Sequence, residues 1–244
     1  MIMRTIPFAA AVFCTSALAE TPVLDRGLAK SNLNDNAGAA RSNVRWSWYE
    51  HGFVGDDLRV GAPGERWVID RIRVWAVPAT PDADPNTLGE FFQDVRLYFG
   101  KNDLSPLMAG RFEPGADQTD NERIRISETR EASLYEEFGR FYRVWQIDFT
   151  GLDLKVDGGE TYRFGTWGLG RPIPGKDGKA YSWFTLGSNA PLSESNQEGA
   201  DGTLLTFDSA GRYDSSFDST GKAWNKPSDL NVQVFARRIP ARTR

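Results

Sequence analysis

The stretch RWVIDRIRVWAV (residues 66–77) decides the fold class, because its apolar and polar residues alternate along the chain. Ile72, Val74 and Ala76 share one face of an extended chain. The other face carries two arginines and a tryptophan: Arg71, Arg73 and Trp75. A period of two is typical of a β-strand with one core-facing side. The stretch therefore predicts a strand whose outer face combines guanidinium groups with an aromatic ring.

The same alternation recurs along the chain between clusters of glycine, proline, asparagine and aspartate. The clearest further runs are residues 94–100, 140–150 and 161–169. Additional strands are predicted at residues 44–50, 122–127, 180–187, 203–208 and 229–236. No long stretch has the i, i+3, i+4 spacing of a helix. About nine or ten strands without intervening helices predict an all-β chain, a two-sheet antiparallel β-sandwich that is jelly-roll-like.

Residues 1–19 have the pattern of a secretory signal peptide. Arg4 precedes an apolar run over residues 6–13, and an Ala-Leu-Ala cleavage site ends the segment. The only cysteine, Cys14, lies within this peptide, so the mature chain is expected to have neither disulfides nor thiolate ligands. The expected location is the periplasm or the extracellular medium.

The remaining chain is long enough for one large β-domain. Residues 20–43 are polar and small, which predicts a flexible N-terminal arm; residues 44–237 form the predicted sandwich, and 238–244 a short basic tail. The net charge is −4 with both signs interspersed, so nucleic acid is not an expected partner. After the signal peptide, no apolar stretch approaches the about 18 residues that a membrane-spanning helix needs.

Several segments carry a family resemblance in their order along the chain: DDLRV, ERWVIDRIRVWAV, DVRLYFG, YRVWQIDFTGLDLKVDGGETYRFGTWGLG, AYSWFTLGS and DLNVQVFA. Over residues 46–236 the chain resembles secreted bacterial β-sandwich domains of the kind found in PEP-CTERM-sorted extracellular proteins. The Gly-Gly-x-x-Tyr turn of those domains is matched by Gly158, Gly159 and Tyr162. The Pro-Glu-Pro sorting tail is absent from this sequence, so surface anchoring is not expected. The family has no general activity, and the resemblance implies fold and export alone.

Aromatic residues are the first candidates for a binding site. The chain has eight tryptophans, and the stretch WSWYEHG places Trp46, Trp48 and Tyr49 beside the only histidine, His51. Flat aromatic rings suit the apolar face of a sugar ring, and exported sandwiches use them in this way. In a strand, Trp46 and Trp48 point to one side and Tyr49 and His51 to the other, so only one set can face solvent. The alternative is that most of these rings fill the core.

A second candidate is a band of arginines and aromatic rings on the predicted outer strand faces: Arg71, Arg73, Trp75, Arg96, Tyr98, Arg163 and Trp167. On adjacent strands these residues would form one continuous face for an acidic polysaccharide, because guanidinium groups bind carboxylates through two parallel hydrogen bonds. The alternative is ordinary cross-strand stacking of arginine on aromatic rings.

Calcium is the one metal that the sequence suggests. Asp82, Asp84 and Asn86 stand at alternate positions, with Glu90 nearby as a further oxygen ligand. The match to an EF-hand loop is partial, because Thr87 replaces its glycine and Gln93 its glutamate. A plain turn uses the same residue types. A second oxygen-rich loop contains Asp208, Asp214 and Asp218 and is equally compatible with a solvated hairpin.

No catalytic residue can be assigned from the sequence. A Ser-His-Asp triad would require His51, and no serine lies in a G-x-S-x-G elbow. A carboxylate pair of the glycosidase type remains possible, with four acids as candidates: Glu50, Asp56, Asp57 and Asp148.

Three functions follow as hypotheses. The leading one is an exported, non-catalytic sandwich that binds an extracellular or envelope component, carbohydrate in the first place, through exposed aromatic rings. The second is a secreted polysaccharide-cleaving enzyme with a carboxylate pair. The third is a structural matrix protein with no small ligand.

Overall fold

The computed structural model describes residues 21–27, 52–78, 87–129, 143–188, 201–218 and 227–240, together with the backbone of 43–44, 47–48, 136–137 and 140–141. The predicted signal peptide lies outside these residues, as do most of the predicted arm and the end of the basic tail.

The first sheet is antiparallel and has the long strand of residues 66–78 near its centre. Its strands, in spatial order, are β1 (Leu24–Arg26), β17 (Val232–Arg238), β5 (Arg66–Pro78), β11 (Val144–Asp157) and β8 (Ile124–Thr129). Near its end, β5 also pairs with β13 (Trp183–Ser188), which in turn pairs with β2 (Asn43–Val44) and β16 (Asp229–Leu230).

The second sheet is also antiparallel. Its spatial order is β15 (Tyr213–Asp218), β14 (Thr203–Phe207), β4 (Gly52–Arg59), β12 (Thr161–Gly170), β6 (Phe92–Gly100) and β7 (Ser105–Arg111), and the short β3 (Ser47–Trp48) pairs with β4. A two-strand hairpin, β9 (Glu136–Glu137) with β10 (Arg140–Phe141), and one helical turn, α1 (Leu88–Phe91), complete the described elements. Two antiparallel sheets with almost no helix confirm the predicted all-β sandwich.

The core lies between the two sheets and contains the apolar side of each alternating strand. Ile72, Val74 and Ala76 of β5 are buried there, as the period of two predicted. Val95 and Leu97 of β6 meet them from the second sheet. These two strands thus turn alternate side chains toward the core and the others toward the outer face of their sheet.

The structure adds strands that the hydrophobic pattern did not predict: β1, β4, β7, β9 and β15. Two glycines and two adjacent aspartates interrupt the alternation of β4, whose sequence is GFVGDDLR. Pro106 lies within β7, an edge strand, and β15 is polar and exposed along most of its length. These segments contain residue types with a low strand preference, so the sequence pattern does not predict them as strands. They are strands because they pair with neighbouring strands in the folded sheet.

Two predicted segments are arranged differently in the structure. Residues 44–50 divide between the sheets, because β2 belongs to the first and β3 to the second. Within the predicted flexible arm 20–43, β1 pairs with β17, and its Arg26 is 1% exposed. The buried partners of Arg26 come from distant parts of the chain, so composition alone indicated no order here.

Within the described ranges, no helix has the length and apolar character needed to cross a membrane.

Candidate functional site

The predicted band of arginines and aromatic rings is divided between the two sheets. Arg71, Arg73 and Trp75 lie on β5, in the first sheet. The other members lie in the second sheet, on β6 and β12: Arg96, Tyr98, Arg163 and Trp167. Since these residues alternate with core residues on their strands, each group faces outward on its own side of the sandwich. One continuous face is therefore not formed.

On the first sheet, the outward-facing residues contact one another. Arg73 donates from Nε and Nη2 to the two carboxylate oxygens of Asp148, its cross-strand partner, at 2.6 and 2.9 Å. The guanidinium of Arg71 lies 3.6 Å from the centre of the Phe235 ring. Trp75 is 6% exposed and belongs to a separate apolar cluster on this side. This half matches the cross-strand alternative, and Trp75 offers little ring surface to a ligand.

On the second sheet, the strand register brings the predicted residues together. Trp167 of β12 stands opposite Arg96 of β6, and Gly165 stands opposite both Tyr98 and Gly55. Directly opposed residues in antiparallel strands share a face. Arg96, Tyr98 and Trp167 therefore lie on one outer surface, as the sequence predicted for these three.

Four aromatic rings cross this outer surface and are called the ring row: Tyr98, Phe53, Phe207 and Tyr213. Successive ring centres lie 4.4, 5.5 and 6.1 Å apart. Glycine makes the close packing possible, because a Cβ on Gly165 would lie 2.6 Å from the Phe53 ring. The row runs from β6 through β4 and β14 to β15.

The rings of this surface differ in their exposure to solvent. Tyr98, Phe53 and Phe207 are each 2% exposed, so Tyr98 is not available as the ligand contact that was expected. Tyr213 ends the row and is 41% exposed. Trp167 packs against the same apolar cluster and is only partly buried. Among the rings that the structure describes on this surface, Tyr213 and Trp167 are therefore the ones open to a ligand.

Each of these two rings has an arginine beside it. The guanidinium of Arg163 lies 4.7 Å from the Tyr213 ring centre, and its Nη1 donates to the Asn102 carbonyl at 3.1 Å. The guanidinium of Arg96 lies 5.0 Å from the Trp167 ring centre. Both distances are within the range of favourable cation–π contact. The surface thus presents two arginine–aromatic pairs, which are the candidate binding site.

Phe53, Phe207 and Tyr213 were not predicted as site residues. Tyr213 lies in the polar stretch that was considered as a calcium loop, and Phe53 lies among glycines and aspartates. One local feature could have indicated Phe53 as a site residue. Phe53 and Gly55 are two positions apart, so an aromatic ring and a residue without a side chain lie on the same strand face.

Three of the four candidate carboxylates, Asp56, Asp57 and Asp148, lie in the described part of the chain, and each is close to an arginine. Asp148 is held by Arg73. Asp56 lies between the sheets in a buried acid cluster, formed by Arg26, Asp56, Asp57 and Asp229. Arg26 Nη1 lies 3.4 Å from an Asp56 oxygen and 3.3 Å from an Asp229 oxygen. It also donates to the Asp57 carbonyl at 2.9 Å, so one guanidinium joins β1, β4 and β16.

Burial changes the protonation of this cluster. Loss of hydration raises the pKa of Asp56 well above its ordinary value, and the negative charge of Asp229 acts in the same direction. Burial raises the pKa of Asp229 to about 6, against the attraction of Arg26. A general acid needs such a pKa, but Asp56 and Asp229 are each 0% exposed. A polysaccharide cannot contact them, so the cluster holds three strands together rather than forming an active site.

The predicted calcium ligands Asp82, Asp84 and Asn86 lie outside the described residues, and Glu90 lies in α1. Where side chains are described, no three His, Cys, Asp or Glu residues form a group that could hold a metal ion. The second oxygen-rich loop is the β14–β15 hairpin, which confirms the hairpin alternative. Its Asp208 accepts hydrogen bonds from the backbone amides of Ala210 and Arg212, both at 2.9 Å.

The stretch WSWYEHG is mostly outside the described part of the chain. Trp48 contributes backbone to β3, where it stands opposite Gly52. Trp46, Tyr49, Glu50 and His51 fall outside the described residues, and a ligand contact there stays a prediction.

No family model, curated protein or solved structure matches this chain. The resemblance to sandwich domains of PEP-CTERM-sorted proteins stays a prediction.

Proposed function

We propose that this chain is an exported, non-catalytic β-sandwich that binds an extracellular or envelope carbohydrate through the outer face of its second sheet. The observation that carries the proposal is Tyr213, whose side chain is 41% exposed at the end of the ring row. An exposed ring on a flat strand surface suits the apolar face of a sugar.

Several contacts hold Tyr213 in place without a ligand. Its ring meets Phe207 edge to face, with ring planes at 71°. Its backbone amide donates to an Asp103 carboxylate oxygen at 3.0 Å, and Arg163 lies over the ring. A ring that is already ordered loses little conformational freedom when it binds, which favours affinity.

The spacing of the two arginine–aromatic pairs supports an extended ligand. Arg163 and Trp167 are four residues apart on β12, which corresponds to about 13 Å along a strand. A ligand that contacts both pairs must be longer than one sugar ring. This favours a polysaccharide over a monosaccharide.

The other two hypotheses have less support. A cleaving enzyme needs two accessible carboxylates. Among the candidate acids that the structure describes, Asp56 is buried, Asp148 is bound to Arg73, and Asp57 alone is partly exposed. A purely structural protein gives no reason for an exposed, ordered tyrosine beside an arginine.

The proposal is tested by native electrophoresis in gels that contain single polysaccharides, neutral or acidic. We expect wild-type protein to be retarded by at least one of them. Tyr213→Ala is expected to weaken that binding about tenfold, about 1.4 kcal/mol, while Tyr213→Phe keeps the ring and most of the affinity.

The matched control is Ser216→Ala, an exposed position on the same strand. It is expected to bind like wild type, and thermal melting verifies that all variants fold. No retardation by any polysaccharide, or equal binding by Tyr213→Ala and wild type, would contradict the proposed function. Export is checked separately by the mass of the secreted chain, which should begin at Glu20.

A further inference from the structure

Resting on the function proposed above, we propose that the bound carbohydrate is an acidic polysaccharide, whose anionic groups contact Arg163 and Arg59 while a sugar ring stacks on Tyr213. The arginines of this outer surface differ in whether a neighbouring carboxylate already neutralises their charge.

Arg163 and Arg59 occupy neighbouring positions on the outer face. Arg59 of β4 stands opposite Thr161, and Arg163 stands opposite Asp57, so the two arginines are diagonal neighbours on adjacent strands. Diagonal neighbours in a sheet are about 7–8 Å apart, within reach of long side chains. Two guanidinium groups can therefore approach the same stretch of a polymer.

The hydrogen bonds of these two arginines are made to neutral groups. Arg59 Nε donates to the Thr161 hydroxyl at 2.8 Å, and Arg163 Nη1 donates to the Asn102 carbonyl. Among the residues that the structure describes, no carboxylate lies within 4.0 Å of either guanidinium. Most of their N–H donors remain available to a ligand.

One acid of this face, Asp57, is shared with the buried Arg26. Asp57 stands opposite Arg163, but its Oδ1 is buried and lies 4.0 Å from Nη2 of the buried Arg26. Burial raises the pKa of Asp57, whereas the attraction of Arg26 and, after it, of Arg59 and Arg163 acts in the opposite direction. Asp57 is therefore shared between the buried Arg26 and the two surface arginines, and it lies within ion-pair distance of Arg26 alone among the three.

The other arginine–aromatic pair, Arg96 with Trp167, has a carboxylate beside its guanidinium. Arg96 Nη2 lies 2.6 Å from an Asp94 oxygen, so its charge is already compensated. Trp167 beside it is expected to stack on a sugar without selecting for charge. The anion-binding half of the site is thus the Tyr213 end.

The test uses two matched pairs of probes, each with the same backbone: polygalacturonate with its methyl ester, and dextran sulfate with dextran. We expect an anionic member to bind at least tenfold more tightly than its neutral counterpart, because hydrogen bonds to charged groups contribute strongly. The two pairs distinguish carboxylate from sulfate as the recognised group. Raising the salt concentration from about 0.05 to about 0.5 M should weaken anionic binding through screening.

Arg163→Gln is expected to weaken anionic binding about tenfold and to weaken neutral binding much less, through the lost contact with the Tyr213 ring. The control is Arg237→Gln, which removes an exposed arginine from the first sheet. A neutral glycan that binds as tightly as its acidic counterpart, or an Arg163→Gln variant with unchanged acidic binding, would overturn the inference while the proposed function stands. Failure of every glycan to bind would instead overturn the proposed function, and with it this inference.

Discussion

The buried acid cluster predicts that the sandwich loses stability as the pH rises from about 4 to about 7. Burial raises the pKa of Asp229 from 3.8 to about 6 in the folded protein. Between these values the folded state holds more protons than the unfolded state, so raising the pH favours unfolding. The stability contribution is complete below pH 3.8 and is lost as the pH passes through about 6.

The difference between the folded and unfolded pKa of Asp229 corresponds to about 3 kcal/mol of unfolding free energy. Asp56 acts in the same direction, because its pKa is also raised. The main physical cause is burial of the two carboxylates, and the neighbouring acids add to it, because within the described cluster three carboxylates face the guanidinium of Arg26. For a domain of this size the loss corresponds to a fall of roughly 6–12 °C in melting temperature.

Urea denaturation at several pH values, followed by tryptophan fluorescence, measures this effect. Asp229→Asn should reduce the dependence of the unfolding free energy on pH between about pH 4 and 7. At neutral pH the variant should be more stable than wild type. The matched control, Asp218→Asn, replaces an exposed aspartate of β15 and should keep the wild-type slope. The acids with lowered pKa, Glu65 and Asp208, titrate mainly below this window.

A wild-type stability that is constant or rises over this range would refute the reasoning. An Asp229→Asn variant with the wild-type slope would show that another group is responsible.

Three further predictions concern packing. Arg26→Met should lower the unfolding free energy by about 3–5 kcal/mol at neutral pH, because it leaves buried carboxylates without their cation. In the same urea experiment, the control Arg237→Met should change the unfolding free energy by at most about 1 kcal/mol. Gly165→Ala should lower the unfolding free energy by about 1–3 kcal/mol and alter the near-UV circular dichroism spectrum, because the new Cβ would displace the Phe53 ring. An unchanged spectrum would contradict the packing of the ring row. The Asn231 side chain accepts a hydrogen bond from the Trp75 amide of β5 and donates one to the Leu186 carbonyl of β13. Asn231→Ala should therefore lower the unfolding free energy by about 1–3 kcal/mol for each backbone group left unpaired. Equal stability of variant and wild type in thermal melting would refute this.

The fold class could be predicted because alternation is a local property. Residues 66–77 alternate strictly, and β5 buries their predicted face. The strand β4 could not be found in this way, although it carries Phe53 and Asp56. Glycine and aspartate interrupt its alternation, and each has a reason in the tertiary structure. Gly55 leaves room for the Phe207 ring, and Asp56 lies beside the buried Arg26.

The candidate site could be predicted in part. Arg96 and Trp167 were expected to share a face, and their strands are neighbours. Trp75 was assigned to the same face because it follows the same pattern, yet β5 belongs to the other sheet. A pattern along one strand states which residues point together, but not which sheet the strand joins.

By itself, the sequence determined that this chain forms strands, which side of each predicted strand is apolar, and that arginines and aromatic rings occupy the outer sides. Only the tertiary structure decided that Tyr213 is the exposed end of the ring row and that Arg26 is buried among aspartates. The physical reason is that exposure and charge compensation depend on neighbours brought together from distant parts of the chain. Tyr213 meets Arg163 of β12, and Arg26 meets Asp229 of β16, although neither pair is close in sequence.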